Sequence, residues 1–368
     1  MRISPCRTIC AFVCMICLAL PAFAQNAKGN DGIPGPKFIT LGSVAVPRTN
    51  NTVPHWTSSF TTDGVTYPFT MVGTNPATSN ATTVVPTVII PFKFILPDGS
   101  VLDGTTKVHN VLGSPNFRNF AYTSGTTQFG DAVQRAEFWE HVSSTSPGYH
   151  VRLGAPTVLP TQTIAIPANQ VVFFVGSHSG KLEAFISASW FADKLQNAIN
   201  VLHVPPTTLP IILTYNSFLY VHDVNVFCCI AGFHGAFASR NGNGNQQVQT
   251  FIYAGWGDPG IFRNPSFQDI LALSHEVSEW MNDPFGNNPA PPWQFANGAG
   301  CQANLETGDP FEVLTNAAFP VTLHGFTYHP QTEALLQWFS REVPSDAISG
   351  AYSYPNTALV TQPSQPCP

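Results

Sequence analysis

The chain has 368 residues, enough for one large domain or two ordinary ones with cores of their own. Only 10% of its residues are charged, against roughly a quarter in average soluble domains, while Pro (33) and Gly (28) are abundant, which favours strands, turns and loops over long solvated helices. A formal net charge of −6 with no run of Lys or Arg excludes a nucleic-acid partner and an anionic-membrane surface.

At the N-terminus, Arg2 and Arg7 precede the apolar run ICAFVCMICLALPAF, and Ala22-Phe23-Ala24 gives an A-x-A cleavage pattern before Gln25. Residues 1–24 therefore read as a signal peptide; the run is short for a membrane span. The mature chain is expected to be secreted, periplasmic or extracellular, without membrane contact after cleavage. Of the 8 cysteines, Cys6, Cys10, Cys14 and Cys17 leave with the signal. Cys228, Cys229, Cys301 and Cys367 remain, an even set that predicts two disulfides in an oxidising compartment. Three pairings are open, and a bond between the adjacent Cys228 and Cys229 is the most strained of them. A thiolate metal site would need paired C-x-x-C spacing, which the chain lacks.

Residues 25–50 mix Gly, Asn, Pro and Lys and read as a flexible leader. From 51 to about 175 the pattern is β. The run TVVPTVIIPFKFIL (83–96) is β-branched and apolar and closes on Pro97-Asp98-Gly99, a turn signal. One helix interrupts this region over 126–139, with Phe129, Val133 and Ala136 at helical spacing. Glu137, Glu140 and His141 at its end read as a solvated helix face rather than a second site. After residue 180 the pattern mixes helix and strand. SASWFADKLQNAINVL (187–202) sets Phe191, Leu195, Ala198, Ile199 and Leu202 on one stripe, an amphipathic helix. Strand-like runs follow at 210–215, 224–230 and 247–253, the last two separated by a polar, Gly-rich loop at 240–245.

The next helix carries the chemistry. Asn264-Pro265-Ser266-Phe267-Gln268-Asp269 offers Ser266 as N-cap with Asp269 three residues on, a capping-box arrangement, and Pro284 ends the helix. Between these ends Ile270, Leu271, Leu273, Val277, Trp280 and Met281 predict burial. On this helix SHEVSEW places His275 and Glu279 four residues apart, one above the other, the separation two ligands need to reach one cation. Glu276 beside them stands where the H-E-x-x-H zinc hydrolases keep a general base, and imidazole plus carboxylate is an acceptable zinc set. Glu279 in place of the second imidazole adds negative charge and weakens the Lewis acid. A third ligand is expected from Leu305-Glu306-Thr307-Gly308-Asp309, where one of Glu306 and Asp309 ligates and the other orients His275. His234 in GFHGAF is a candidate electrophile across the cleft. His324 and His329 in HGFTYH rank lower, as structural histidines. The plainer reading of H-E-x-x-E, acids that only cap or pair, sits poorly with a buried helix, where an unpaired acid is costly.

Three segments together resemble the EXORDIUM, or phosphate-induced, family of secreted plant and microbial proteins. They are LPIILTYNSFLYVHDVNVFCCIAGFHGAF, SHEVSEWMNDPF and LETGD, in an order and spacing similar to that family's Gly-Phe-His, H-E-x-x-E and E-x-x-D segments. The likeness covers roughly residues 205–345 and includes LHGFTYHPQTEALLQWFS. It implies an extracellular zincin-like core with His275, Glu276, Glu279, Glu306, Asp309 and His234 at matching positions, and growth or cell-wall roles rather than an established reaction. One departure is that Pro310-Phe311 follow the E-x-x-D where the family tends to place a Cys.

The expected fold is α+β: a β-rich, sandwich-like domain over 51–175, then a zincin-like α/β domain over 176–368. The expected function is that of a secreted, metal-dependent hydrolase, peptidase-like, with zinc as the first choice of divalent metal. His275, Glu279 and Glu306 or Asp309 hold the ion, and Glu276 activates a metal-bound water. The strand at 247–253 is the expected edge for an extended peptide substrate. The alternative is a non-catalytic extracellular or cell-wall binding protein with a structural metal or none. A glycosidase is disfavoured, because Glu276 and Glu279 lie one turn apart on one helix and cannot flank a sugar bond from opposite faces.

Overall fold

The structure is a computed structural model that describes residues 51–176, 179–221, 228–240, 246–262, 264–295, 300–312 and 314–367. The expected signal peptide, the leader and the Gly-rich loop at 241–245 lie outside the described residues.

A hairpin of β1 (His55–Thr62) and β2 (Val65–Val72) precedes β3 (Thr87–Ile95), helix α1 (Phe129–Glu137), β4 (Gln162–Ala165), β5 (Val171–Val175) and β6 (Leu182–Ser187). Helix α2 (Ala188–Val201) follows, then β7 (Leu209–Tyr215), β8 (Ser217–Tyr220), β9 (Cys228–Ile230), β10 (Gly232–Arg240) and β11 (Gln246–Trp256). Helix α3 (Leu271–Asn282), β12 (Pro289–Gln294) and β13 (Cys301–Asn304) come next. The chain is thus α+β, as expected.

β3, sequence TVIIPFKFI, is buried along most of its length. A strand apolar on both faces needs cover on both and pairs most readily in parallel. β4 and β7 lie parallel to β3 on either side, β11 runs parallel to β7, and β10 pairs antiparallel with β11 at the end of a 7-stranded sheet. Alternation sorts the side chains. Ile89, Ile211, Leu213, Ile252 and Ala254 face Leu273, Val277, Trp280 and Met281 of α3. Ile90, Phe92, Ile212, Phe251 and Tyr253 face Phe191, Leu195, Ala198 and Ile199 of α2. Each such side chain contributes about 1.5–3 kcal/mol on burial, so this sandwich of helix, sheet and helix fixes where α3 sits. α1 packs on α3 through Gly130, where a Cβ would lie 2.8 Å from Met281 Sδ and 3.0 Å from Val277 Cγ1.

Several expectations change. The strands before residue 176 do not build a sandwich of their own: β3 and β4 enter the central sheet beside β7, so one sheet spans the expected boundary at 175. The apolar run at 83–96 breaks at Pro86 into Thr82–Val85 and β3. The capping box does not form. Helix α3 starts at Leu271 without a side-chain cap, Ser266 Oγ donates instead to Thr315 O at 2.8 Å, and Asp269 takes φ +41° to accept from the backbone N–H of His329 at 2.9 Å. The strand at 247–253 is not an edge. It lies inside β11, between β7 and β10, and the edge is β10.

Cys301 and Cys367 form a disulfide across a sequence separation of 66, and Cys229 belongs to another whose partner lies outside the described side chains. Among the described residues no helix is long and apolar enough to cross a membrane.

Glu137, expected on a solvated face, is 1% exposed. Its Oε1 accepts from the Leu336 N–H at 3.0 Å, and its Oε2 has no hydrogen-bond partner among the described residues. Burial raises its pKa to about 8, the one hydrogen bond opposing. A carboxyl whose folded pKa exceeds its unfolded value of 4.5 binds its proton more tightly when folded, so stability falls as pH rises between these two values. Glu137→Gln keeps the acceptor and removes the ionisation. Urea unfolding at pH 5 and pH 7 should show the variant losing about 2–3 kcal/mol less than the wild type over that interval. Equal losses would mean that Glu137 is not protonated in the fold.

Candidate metal centre

Every residue of α3 from Leu271 to Asn282 is buried, so its imidazole and two carboxylates must find partners within the protein. One helical turn brings His275 Nε2 to 3.0 Å from Glu279 Oε1. After β13 the chain turns back through a short 3-10 segment, Asp309–Phe311, with Pro310 fixing its backbone. That turn sets Asp309 Oδ1 at 3.5 Å from His275 Nε2. The ligand atoms of His275, Glu279 and Asp309 all lie within 4.8 Å of one another.

The second shell fixes the imidazole. Gln331 Nε2 donates to Gly308 O at 2.5 Å, which turns its Oε1 to His275 Nδ1 at 3.2 Å. An acceptor there puts a proton on Nδ1 and leaves Nε2 as the nitrogen that faces the acids. Nε2 is buried and, among the described residues, has no hydrogen-bond partner: Glu279 Oε1 is close enough but outside hydrogen-bond geometry. A nitrogen facing two carboxylates is a place for positive charge, a proton when no cation is bound, and the off-line oxygens suit a cation held between the three donors better than a proton shared by two. One nitrogen and two carboxylate oxygens fit zinc, manganese or iron(II). Both carboxylates are also supported. Glu279 Oε1 accepts from the N–H groups of Gly308 (3.1 Å) and Asp309 (3.3 Å), and Asp309 Oδ2 accepts from Gln302 Nε2 at 2.6 Å.

His234 enters from β10. Its Nε2 donates to Asp283 O at 3.0 Å, and its Nδ1 lies 3.4 Å from Glu276 Oε2 and 3.6 Å from Glu279 Oε2. His234, Glu276 and Glu279 form a second group of donors within 4.8 Å of one another. Gly232 on the same strand makes room for the acid: a Cβ there would lie 2.5 Å from Glu276 Oε1.

The electrostatics separate the acids. Burial raises Glu276 to about 7, with the charge of Glu279 adding and the bond to His234 and the charge of His275 opposing. Glu279, despite the cost of burial, is held well below the carboxylate range by the charges of His275 and His234. Burial and the charge of Glu279 raise Asp309 to about 6. Burial opposes charge on both imidazoles, yet Glu279 pulls His275 well above the usual range, and Glu306 does the same for His234.

Of the two acids in LETGD, Asp309 is the one that meets His275 and Glu279. Glu306 stands on the other side. Its Oε1 accepts from Asn304 Nδ2 at 3.2 Å, and its Oε2 lies 3.8 Å from His234 Nε2. His324 and His329 lie apart from the centre: the first occupies an exposed turn at φ +51°, and the second bonds Asp269 Oδ2 through Nδ1 at 2.6 Å. Sequence reasoning missed Gln331 and Gln302, and the buried Glu333, whose two carboxylate oxygens have no hydrogen-bond partner among the described residues. Isolated polar residues in a loop or in strands of two to four residues carry no periodicity, so nothing in the sequence marks them.

Comparison of the chain with protein-family models, curated proteins and solved structures gives no match.

Gly308 is required by contact. A Cβ there would lie 2.6 Å from two ring carbons of His275 and closer still to Nδ1. Gly308→Ala should lower stability by about 1–3 kcal/mol through overpacking, read as a lower thermal midpoint. An unchanged midpoint would mean that the ring has free space to move into.

Proposed function

We propose that the protein is a divalent-metal-dependent hydrolase, peptidase-like in the bond it cleaves, with the cation held by His275, Glu279 and Asp309. The observation that carries this reading is the buried, unpartnered Nε2 of His275 between two carboxylates. Two further features support a zincin-like core and the likeness to the EXORDIUM family: the mixed sheet ends in one antiparallel strand, and the ligand helix lies across its face. The Cys301–Cys367 disulfide supports an extracellular location.

A bound cation supplies Lewis acidity toward a carbonyl oxygen and lowers the pKa of water. The side chains do the rest. Glu276, near 7, takes and returns a proton at neutral pH with little bias, which suits a general base that later serves as the acid to a leaving amine. His234, anchored on the Asp283 carbonyl, aims Nδ1 at Glu276 Oε2 and holds that carboxylate in place. β10 ends the sheet with no further strand paired to it among the described residues, so an extended peptide could add there beside His234.

The alternative is a non-catalytic extracellular or cell-wall binding protein with a structural metal. Burial favours it, since the side chains of His275, Glu279 and Asp309 are only 2%, 5% and 3% exposed. Metal analysis and a peptide library separate the two. The wild type should carry stoichiometric divalent metal and cleave peptides. His275→Ala should lose the metal, and Glu276→Gln should keep it while losing at least about 100-fold in rate. Metal without cleavage in the wild type leaves the structural reading; a chain without metal overturns the cation reading itself.

A further inference from the structure

We infer that the centre takes two divalent cations bridged by Glu279, and that the second, on His234, Glu276 and the far oxygen of Glu279, acts as a brake on the first. This rests on the cation reading of the His275 site.

The two carboxylate oxygens of Glu279 face different imidazoles. Oε1 lies 3.0 Å from His275 Nε2, and Oε2 lies 3.6 Å from His234 Nδ1. The two imidazoles are placed alike, except that Nδ1 of His234 has a hydrogen-bond partner in Glu276 Oε2 at 3.4 Å where Nε2 of His275 has none among the described residues. In each, the far nitrogen faces an oxygen acceptor, Gln331 Oε1 for His275 and the Asp283 carbonyl for His234. The near nitrogen of each then faces two carboxylates: Glu279 and Asp309 for His275, Glu276 and Glu279 for His234. The two donor sets are chemically alike, one nitrogen and two oxygens, and each is drawn within 4.8 Å. Both therefore select the same class of cation, zinc or manganese.

Charge points the same way. Glu276, Glu279, Asp309 and Glu306 all lie within 4.0 Å of one imidazole or the other. The His234 side chain is 4% exposed, and Glu306 Oε2 is buried without a hydrogen-bond partner among the described residues. A cation at His275 is shared by Glu279 and Asp309 and leaves Glu276 without one in a buried space; a second cation beside His234 would serve Glu276 and the far oxygen of Glu279. The arrangement has a functional consequence: a Glu276 oxygen bound to the second ion cannot accept a proton. The first equivalent of metal thus supports the reaction, and the second suppresses it.

Manganese(II) reports both stoichiometry and bridging. The metal-stripped full chain is dialysed against increasing Mn2+, and bound ion is counted while the electron paramagnetic resonance spectrum is recorded. The wild type should take two ions per chain and develop an exchange-coupled spectrum as the second one binds. His234→Gln and the nearly isosteric Glu276→Gln should each hold one ion with an uncoupled spectrum. His275→Ala should also lose coupling. Saturation at one ion per chain that is lost in His275→Ala but kept in His234→Gln overturns the second site and leaves the first intact. A second ion that persists in both His234→Gln and Glu276→Gln, or two ions without coupling, overturns the bridge and points to His234 as an imidazolium paired with Glu276 and Glu279. No bound manganese or zinc in the wild type overturns the cation reading as a whole.

Discussion

Glu279 is a carboxylate that is 4% exposed, on a helix without one exposed residue. A buried, uncompensated anion costs several kcal/mol even after the protein relaxes, so its neighbours are constrained by it more than by any other group. Two backbone N–H groups, of Gly308 and Asp309, point at one of its oxygens. Two imidazoles approach it from different elements, His275 within α3 and His234 from β10. The turn after β13 must therefore run where it does, and it can approach so closely only because residue 308 lacks a Cβ. Replacing Glu279 by an apolar residue would remove the charge but leave two imidazoles and several acids without their common partner.

The sheet makes this convergence geometrically feasible. β11 leads toward α3 through the segment at 257–270, and β10, antiparallel beside it, returns His234 to the same region. α3 is held in the core it shares with the sheet by Leu273, Val277, Trp280 and Met281, and α1 packs on Val277 and Met281 through Gly130. Packing thus fixes the helix and leaves His275, Glu276 and Glu279 little freedom. The second shell adds hydrogen bonds from Gln331 and Gln302, which orient the ring of His275 and the carboxylate of Asp309. Such support outside the immediate donors is what keeps a site rigid enough to bind selectively.

How much of this the sequence disclosed follows from the range of the forces involved. The pairing of His275 with Glu279 is a property of helix pitch and was legible from spacing alone. So was the stripe of α2, because Phe191, Leu195, Ala198 and Ile199 repeat at the helical period. The choice between Glu306 and Asp309 was not legible. Both belong to one short acidic segment, and only the turn at Pro310 sends Asp309 to His275 and leaves Glu306 near His234. Strand order is equally nonlocal. β10 and β11 are both plausible strands by composition, yet only pairing with β7 makes β11 interior. Ser266 had the sequence of an N-cap but lost that role to a distant competitor, the carbonyl of Thr315. Glu137 looked like a surface acid because acids usually are; its burial depends on Leu336 and Gln337, some two hundred residues away.

The depth of the centre bears on the proposed catalysis in two opposite ways. With little water nearby, each charge acts on its neighbours more strongly than at a surface, which is how Glu276 comes to lie near neutrality while Glu279, one turn away, stays ionised. The same depth hinders a substrate. The covering is uneven, however: side-chain exposure rises from 2–5% at His275 and Glu279 to 14% at Glu306. The least covered side of the centre is therefore the side of Glu306, His234 and β10. Three protein donors around one cation are the count of a catalytic site, whereas a structural ion is closed by four. In the proposed site His275, Glu279 and Asp309 supply three, and Glu276 Oε1 stands 4.0 Å from His275 Nε2. In the proposed reaction a carbonyl arriving along β10 would meet the cation from the side of Glu276, which can serve as a base there only while it is not itself given up to a metal.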